Sequence, residues 1–295
     1  MSIRLEMLQV ARLAPRALGD SADLVKSFFR SRQNPDGGFR GRTGQSDLYY
    51  TVFGLDGLAA LQCEFPRDSL LAYLRSFGAG HDLDFIHLCC LARCWSSVQS
   101  AATLPSDLRH AFLERIETFR ARDGGYNILP QSESGTAYGS FMAVAAQGDL
   151  QAPVRDPLRV VQSMKFLEAE PGSWANDRIV PFGSTNSTAA VVTLLRNLQV
   201  PVNDAAAQWL LAQAHPEGGF RAASDSPIPD LLSTATALHA LAGLQCDFSS
   251  IREATLNFID TLWSNEGGFH GHWADDFLDV EYTFYGLLAL GHLSV

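Results

Sequence analysis

The sequence predicts an all-α fold, an α/α toroid: a closed barrel of about six helical hairpins forming a single domain over residues 1–295. Three observations predict it. One phrase recurs, in Gly37-Gly38-Phe39, Gly124-Gly125-Tyr126, Gly218-Gly219-Phe220 and Gly267-Gly268-Phe269, with Pro171-Gly172-Ser173-Trp174 as a weaker copy. From the second copy onward the spacing is about 46 to 49 residues, within the range of solenoid and ring repeats. Each phrase is followed by a helical pattern that is apolar all round, so that helix must be buried on all sides. The last such helix, ending near Leu290, is as apolar as the others. An open stack would need a polar terminal repeat, so the ring is expected to close.

The elements follow in order. Asp23 to Arg32 reads as an outer amphipathic helix, with Leu24, Val25, Phe28 and Phe29 as its apolar stripe. The Gly37-Gly38 pair is expected to end it, since glycine adopts the angles of a helix stop. Phe39 is expected to plug the space between helices, and Asp47 to cap the inner helix that runs through Thr51 and Leu58. Gly54, Gly57, Ala59, Gly286 and Ala289 are expected to let inner helices pack closely. The second hairpin, Asp68 to Trp95, lacks the glycine phrase and turns at Gly78-Ala79-Gly80. The fourth, Pro157 to Leu198, carries a longer loop with Trp174, Phe182 and Asn186. Val200 to Asn203 reads as a turn between repeats. Thr234 and Thr283 lie in the inner helices of the last two hairpins.

Composition narrows the function classes. The chain is 46% hydrophobic and 18% charged, as expected for a large core. A net charge of −10 with no basic block argues against nucleic acid or an anionic membrane as partner. The five cysteines (Cys63, Cys89, Cys90, Cys94 and Cys246) have no regular spacing, which favours buried thiols in a reducing compartment. No stretch reaches the roughly 20 apolar residues of a membrane span, and the first residues contain no apolar leader core. A soluble, cytoplasmic protein is the expectation. No P-loop, dinucleotide-binding glycine fingerprint or nucleophile elbow is present.

The stretches from Asp36 through Leu58 and from Glu266 through Leu287 resemble the repeats of protein prenyltransferase β subunits, in the wider superfamily that includes squalene and terpene cyclases. The resemblance implies inner helices lining a funnel for an isoprenoid diphosphate or prenyl lipid. It also implies a catalytic zinc that activates a thiol acceptor, and a helical α-subunit-like partner. By repeat order Asp230 stands at the zinc aspartate, Leu232 at the zinc cysteine and Tyr282 at the zinc histidine, so two of three ligands are replaced. Gly135 stands where a diphosphate-contacting histidine belongs, and Ala222, Ala223 and Ser226 stand in place of basic residues.

Several candidate sites follow. Asp47 and His87, with a cysteine of the second repeat and Tyr49 in the family cysteine's place, form a rotated metal site; the alternative is helix caps and a core histidine. Asp279-Val280-Glu281-Tyr282-Thr283 occupies the position of the D-x-D-D acid motif of class II cyclases. Two close carboxylates in an apolar cavity raise one pKa, which suits a general acid, so Asp279, Glu281 and Tyr282 are the catalytic candidates. The alternative is an N-cap at Asp279 and a first-turn glutamate at Glu281. Arg40, Arg42 and Arg221 are candidates for holding a diphosphate. Tyr49, Tyr50, Phe284 and Tyr285 are expected in or near the cavity, where aromatic faces line an isoprenoid tunnel and stabilise carbocations. His270, His272, Asp275 and Asp276 form a weaker cluster, read mainly as exposed loop. Three functions stay open: prenyl transfer with a degenerate zinc site, acid-initiated cyclisation, and a non-catalytic toroid binding lipid or protein.

Overall fold

The computed structural model describes residues 2–99 and 103–295. Helix α1 (Ile3–Ala11) and the single turn α2 (Pro15–Leu18) precede the hairpins. Among the described residues, outer and inner helices then alternate: α3 (Ala22–Ser31) with α4 (Leu48–Ala60), α5 (Arg67–Ser76) with α6 (Phe85–Val98), and α7 (Ser106–Glu117) with α8 (Ala137–Asp149). The series continues with α9 (Pro157–Lys165) and α10 (Thr185–Asn197), α11 (Asp204–Ala212) and α12 (Leu231–Gly243), and α13 (Arg252–Thr261) and α14 (Val280–Leu293). Each inner helix packs on the next, and α14 packs back on α4, so the ring closes as the α/α toroid expected. No helix among the described residues is long and apolar enough to cross a membrane.

The recurrent phrase has a different mechanical role from the one expected. Helix α3 ends at Ser31, before the glycine pair, so glycine is not its stop. Gly37 instead has φ +98°, and a Cβ there would lie 2.3 Å from the Leu70 backbone nitrogen on α5. The same close approach recurs at Gly267, where a Cβ would lie 2.3 Å from the Leu24 carbonyl oxygen of α3. The phrase is therefore the contact between successive outer helices, and its last copy closes the outer ring. Leu24 is consequently exposed rather than part of the buried stripe. Three of the small inner-helix residues, the glycines, are also reassigned. Gly54 receives the Phe39 ring, Gly57 the Phe29 ring and Gly286 the Phe269 ring, so they admit aromatics from the outer layer rather than neighbouring inner helices.

A hydroxyl ties each plug to its inner helix. The backbone N–H of Phe39, Tyr126, Trp174, Phe220 and Phe269 donates to Thr51, Ser140, Thr188, Thr234 and Thr283 respectively, at 2.9–3.3 Å. Thr51 in turn donates to the Asp47 carbonyl at 2.6 Å, as Thr283 does to that of Asp279 at 2.7 Å. Thr51 is fully buried. Thr51→Val keeps the shape but strands the Phe39 N–H, so urea unfolding is expected to show a loss of about 1–3 kcal/mol.

The inner helices all start at one end of the barrel. Their first turns are capped by Asp47, Asp84, Thr136, Ser184, Asp230 and Asp279. This end is the mouth. The opposite end is covered by α1, which packs on α14, α4, α8 and α10.

Candidate functional site

The mouth is built from the first turns of α4 and α14, which ring closure makes neighbours. Tyr49 donates its hydroxyl to Glu281 Oε1 at 2.6 Å across 232 residues of sequence. Glu281 lies one helical turn above Tyr285 on the same face of α14, and Tyr285 lines the central cavity. Burial is the main force on the Glu281 carboxyl, pushing it up to about 7, and the Asp279 charge adds to this. The Tyr49 bond and the Arg42 charge oppose the rise. Both causes expected from the sequence act here, and desolvation outweighs the second carboxylate. The Tyr49 phenol is raised far above its ordinary value by burial and by the tyrosine and carboxylate charges around it, so it remains a hydrogen-bond donor.

Asp279 is almost fully buried and caps α14 through Oδ1 to the Tyr282 N–H at 2.9 Å. Its Oδ2 accepts from Arg42 Nε at 3.0 Å. Arg42 also donates to Asp275 Oδ2 at 3.0 Å, and its guanidinium lies 5.1 Å from the Phe277 ring centroid and 5.7 Å from that of Tyr282. Arg42 therefore reaches the mouth as expected, but it is already neutralised by two carboxylates and seated on two rings. Tyr50 stacks edge-on against Tyr49 and covers Gly41. Arg40 lies on the short strand β1 (Phe39–Arg40), where its charge acts on Arg32. The Arg221 guanidinium reaches the Ser224 carbonyl at 3.5 Å.

Asp47 and His87 do meet, at 3.5 Å, and Asp84 takes the other imidazole nitrogen at 2.9 Å. Bracketed by two carboxylates, His87 is raised to about 9, and both its ring nitrogens are engaged by them. Tyr49 is turned to Glu281 instead. Cys90 lines the cavity, with burial pushing its thiol up to about 12. Among the described residues no three His, Cys, Asp or Glu side chains converge as a metal site. The family zinc position does not fit the ion either. Both Asp230 oxygens accept from Ser233, one from its N–H and one from its hydroxyl, each at 2.7 Å. Leu232 offers no donor, and the Tyr282 phenol is held above its ordinary range by burial. His270 and His272 are engaged with the Phe277 carbonyl and the Ala274 N–H of their own loop.

Below the mouth lies a cavity of about 80 Å³. Its walls include Tyr49, Phe53, Tyr138, Phe141, Phe284 and Tyr285. The Phe53 ring centroid is 5.4 Å from that of Tyr285 and 5.9 Å from that of Phe284, so aromatic faces surround the space.

The floor is charged, which sequence reasoning did not foresee. Arg4 of α1 meets Asp56 at 3.0 Å and Asp149 at 3.3 Å, and Arg93 meets Asp149 at 3.4 Å. The available signal was a lone Asp56 and a lone Arg93 inside helices otherwise apolar all round, since a buried charge needs a partner. Nearby, His239 and His292 share a hydrogen bond at 3.1 Å, and burial lowers them to about 4 and about 3.

Known proteins share this architecture. The family profile described as the prenyltransferase alpha-alpha toroid domain matches residues 5–87, 27–178 and 186–293. The geranylgeranyltransferase-I of Candida albicans, solved with GGPP, superposes with a TM-score of 0.70 at 15% identity, over 92% of this chain and 90% of that one. A variant of the type II terpene cyclase MstE from Scytonema, solved with geranylgeranyl dihydroxybenzoate, gives 0.63 at 13%, over 95% and 97%. An inactive α-1,6-mannanase variant from Salegentibacter, solved with α-1,6-mannotetrose, gives 0.61 at 12%, over 94% and 98%. Identities this low speak to the fold, and the mannanase shows that the fold by itself does not select a chemistry. No curated protein matches the sequence.

Proposed function

Because the chain belongs to the prenyltransferase alpha-alpha toroid domain family, we propose that it handles an isoprenoid chain and acts on it as a metal-independent acid, with Glu281 as proton donor. The observation that carries this reading is the Glu281 carboxyl, raised to about 7 and bonded by Tyr49 at 2.6 Å, above a cavity walled by aromatic rings. At neutral pH a large fraction of such a group is protonated yet remains acidic, the combination a general acid needs.

The step balances simply. The proton of Glu281 adds to the less substituted carbon of a terminal prenyl double bond, whose π electrons form the new C–H bond. The other carbon becomes a tertiary cation. Tyr49 stabilises the carboxylate left behind, and the faces of Phe53, Phe284 and Tyr285 stabilise the cation. Attack by an internal double bond closes a ring, and loss of a proton to the Glu281 carboxylate restores the acid. Asp279 and Arg42 fix the first turn of α14, and through it the position of Glu281. Tyr282 acts from the same turn as a seat for Arg42.

A second reading, diphosphate binding followed by prenyl transfer, draws support from Arg42 at the rim and from the resemblance to the Candida transferase. It requires the phosphate to displace Asp275 and Asp279 from Arg42. A helical partner subunit belongs to this second reading.

Incubation with farnesyl, geranylgeranyl and prenylated aromatic substrates, with product analysis by mass spectrometry, tests the first against the second. Cyclised isomers of unchanged mass are expected, at the same rate after exhaustive treatment with a strong zinc chelator. Turnover that disappears with the metal and returns with zinc would overturn the acid mechanism. Binding with no product would leave a lipid-binding toroid.

A further inference from the structure

The cavity beneath Glu281 holds about 80 Å³, whereas sites for small organic ligands occupy roughly 300–1,000 Å³. A prenyl chain of the length handled by the structural relatives therefore needs space that the resting barrel lacks. The walls formed by ring helices are poor candidates to supply it. Each ring helix is gripped by its two ring neighbours, and an outer helix backs the ring. The floor is different, because it belongs to α1, which is not part of the ring.

Ile3, Arg4 and Met7 of α1 close the bottom of the cavity. The helix is nine residues long, and its opposite side carries the exposed Leu5. Its two ends are held in different ways. At the C-terminal end, a Cβ at Gly291 would lie 2.1 Å from the Val10 carbonyl oxygen, and Ala11 and Ala14 are fully buried, so this end is pinned to α14 by close packing. At the N-terminal end Ile3 is packed into the core and the other holds are ionic. Arg4 bridges Asp56 and Asp149, and Glu6 meets Arg196 at 3.1 Å. Ion pairs can be exchanged for water, whereas interlocked backbone cannot slide apart. When Arg4 withdraws, Arg93 remains within 3.4 Å of Asp149 and 3.9 Å of Asp56, and the water that enters with the opening solvates the carboxylates Arg4 leaves, which it cannot do in the closed barrel.

We propose that α1 is a displaceable stopper: it pivots at its packed C-terminal end and withdraws Ile3, Arg4 and Met7 from the barrel, so that the cavity lengthens to admit long apolar chains. Residues Ile3 and Met7 then determine which chain lengths are accepted without opening. The ligand class rests on the reading of the site given above, whereas the motion does not.

The structure supplies its own test. A Cβ built at Gly148 lies 3.4 Å from the Ser2 Cβ, just short of the roughly 3.5–4.5 Å spanned by disulfides, a gap that a small shift of the mobile end of α1 supplies. In the full chain, with the half-buried Cys63 and Cys246 changed to Ser, the pair Ser2→Cys and Gly148→Cys staples α1 to α8 when oxidised and frees it when reduced. Each single cysteine variant controls for folding. Two readouts separate the motion from the ligand. In native-state hydrogen exchange, α1 amides of the reduced protein are expected to exchange at least about 10-fold faster than those of α14, and stapling is expected to remove the difference. In fluorescence titration, dansyl-labelled farnesol is expected to bind about 10-fold or more weakly to the stapled protein, with full recovery on reduction and a smaller effect for dansyl-labelled prenol. Exchange of α1 only together with α14 overturns the stopper, whatever the protein binds, and so does equal farnesol binding in both redox states. Fast α1 exchange with no prenyl binding in either state upholds the motion and overturns the isoprenoid reading.

Discussion

Glu281→Gln is expected to lower the rate of acid-initiated turnover by about 10²- to 10⁴-fold, the range contributed by a positioned general acid. Glutamine matches the shape of the carboxyl and keeps an acceptor for Tyr49, but it has no acidic proton. The change therefore separates chemistry from packing. Prenyl binding is expected to survive, and a variant that binds normally and turns over at the wild-type rate would remove Glu281 from the mechanism. The pH profile gives a second check. With the carboxyl raised to about 7, the reactive protonated form is depleted as pH rises through that value, so the rate is expected to fall on the alkaline side. The same shift appears in stability, with a definite sign. The folded state holds the proton up to about 7, while the unfolded chain releases it near the ordinary glutamate value of roughly 4.3. Between these values the native state binds more protons, so the contribution of Glu281 to stability is fully present at low pH and declines as pH rises. Urea titrations from pH 4 to pH 8 should show that slope in the wild type and lose it in Glu281→Gln, independently of any substrate.

The largest stability effect is expected at the opposite end of the cavity. Arg93→Ala is predicted to destabilise the protein by about 3–5 kcal/mol, measured by urea unfolding at neutral pH. Arg93 is largely buried on the inner face of α6, with Asp149 at 3.4 Å and Asp56 at 3.9 Å. Removing it leaves two buried carboxylates facing Arg4 alone. The loss belongs to the unpaired charge rather than to the worth of the pair, so the double variant Arg93→Met with Asp149→Leu is expected to recover much of it. A loss below about 1 kcal/mol for Arg93→Ala would mean that the floor is hydrated or takes up a proton, and that the charge network does not hold the barrel end together.

The ring was legible because its grammar is local. A glycine phrase, a capping residue and a helix apolar all round each occupy a few consecutive residues, and their recurrence counts the hairpins. The Asp279 and Glu281 pair was legible for the same reason, since both lie within one turn at a helix start. Other features were misjudged where the decisive neighbour is distant. Gly37 reads as a helix stop in sequence, but its conformation serves an approach by Leu70 on the next outer helix. Arg42 reads as a free phosphate ligand, yet its charge is taken up by Asp275 and Asp279 across the ring closure. His87 reads as a possible metal ligand, but both its ring nitrogens are taken up by Asp84 and Asp47.

The sequence by itself determined the repeat, the number of layers, the capping of each inner helix and the face of α14 on which Glu281 stands, because helix periodicity and caps are set by residues three or four positions apart. Only the tertiary structure decided that Tyr49 bonds Glu281, that Arg42 pairs with Asp275 and Asp279, and that α1 floors the cavity. Those facts depend on α14 meeting α4, and on the inner helices converging on α1 at one end. Closing a ring brings together residues whose separation along the chain carries no information about their distance in space.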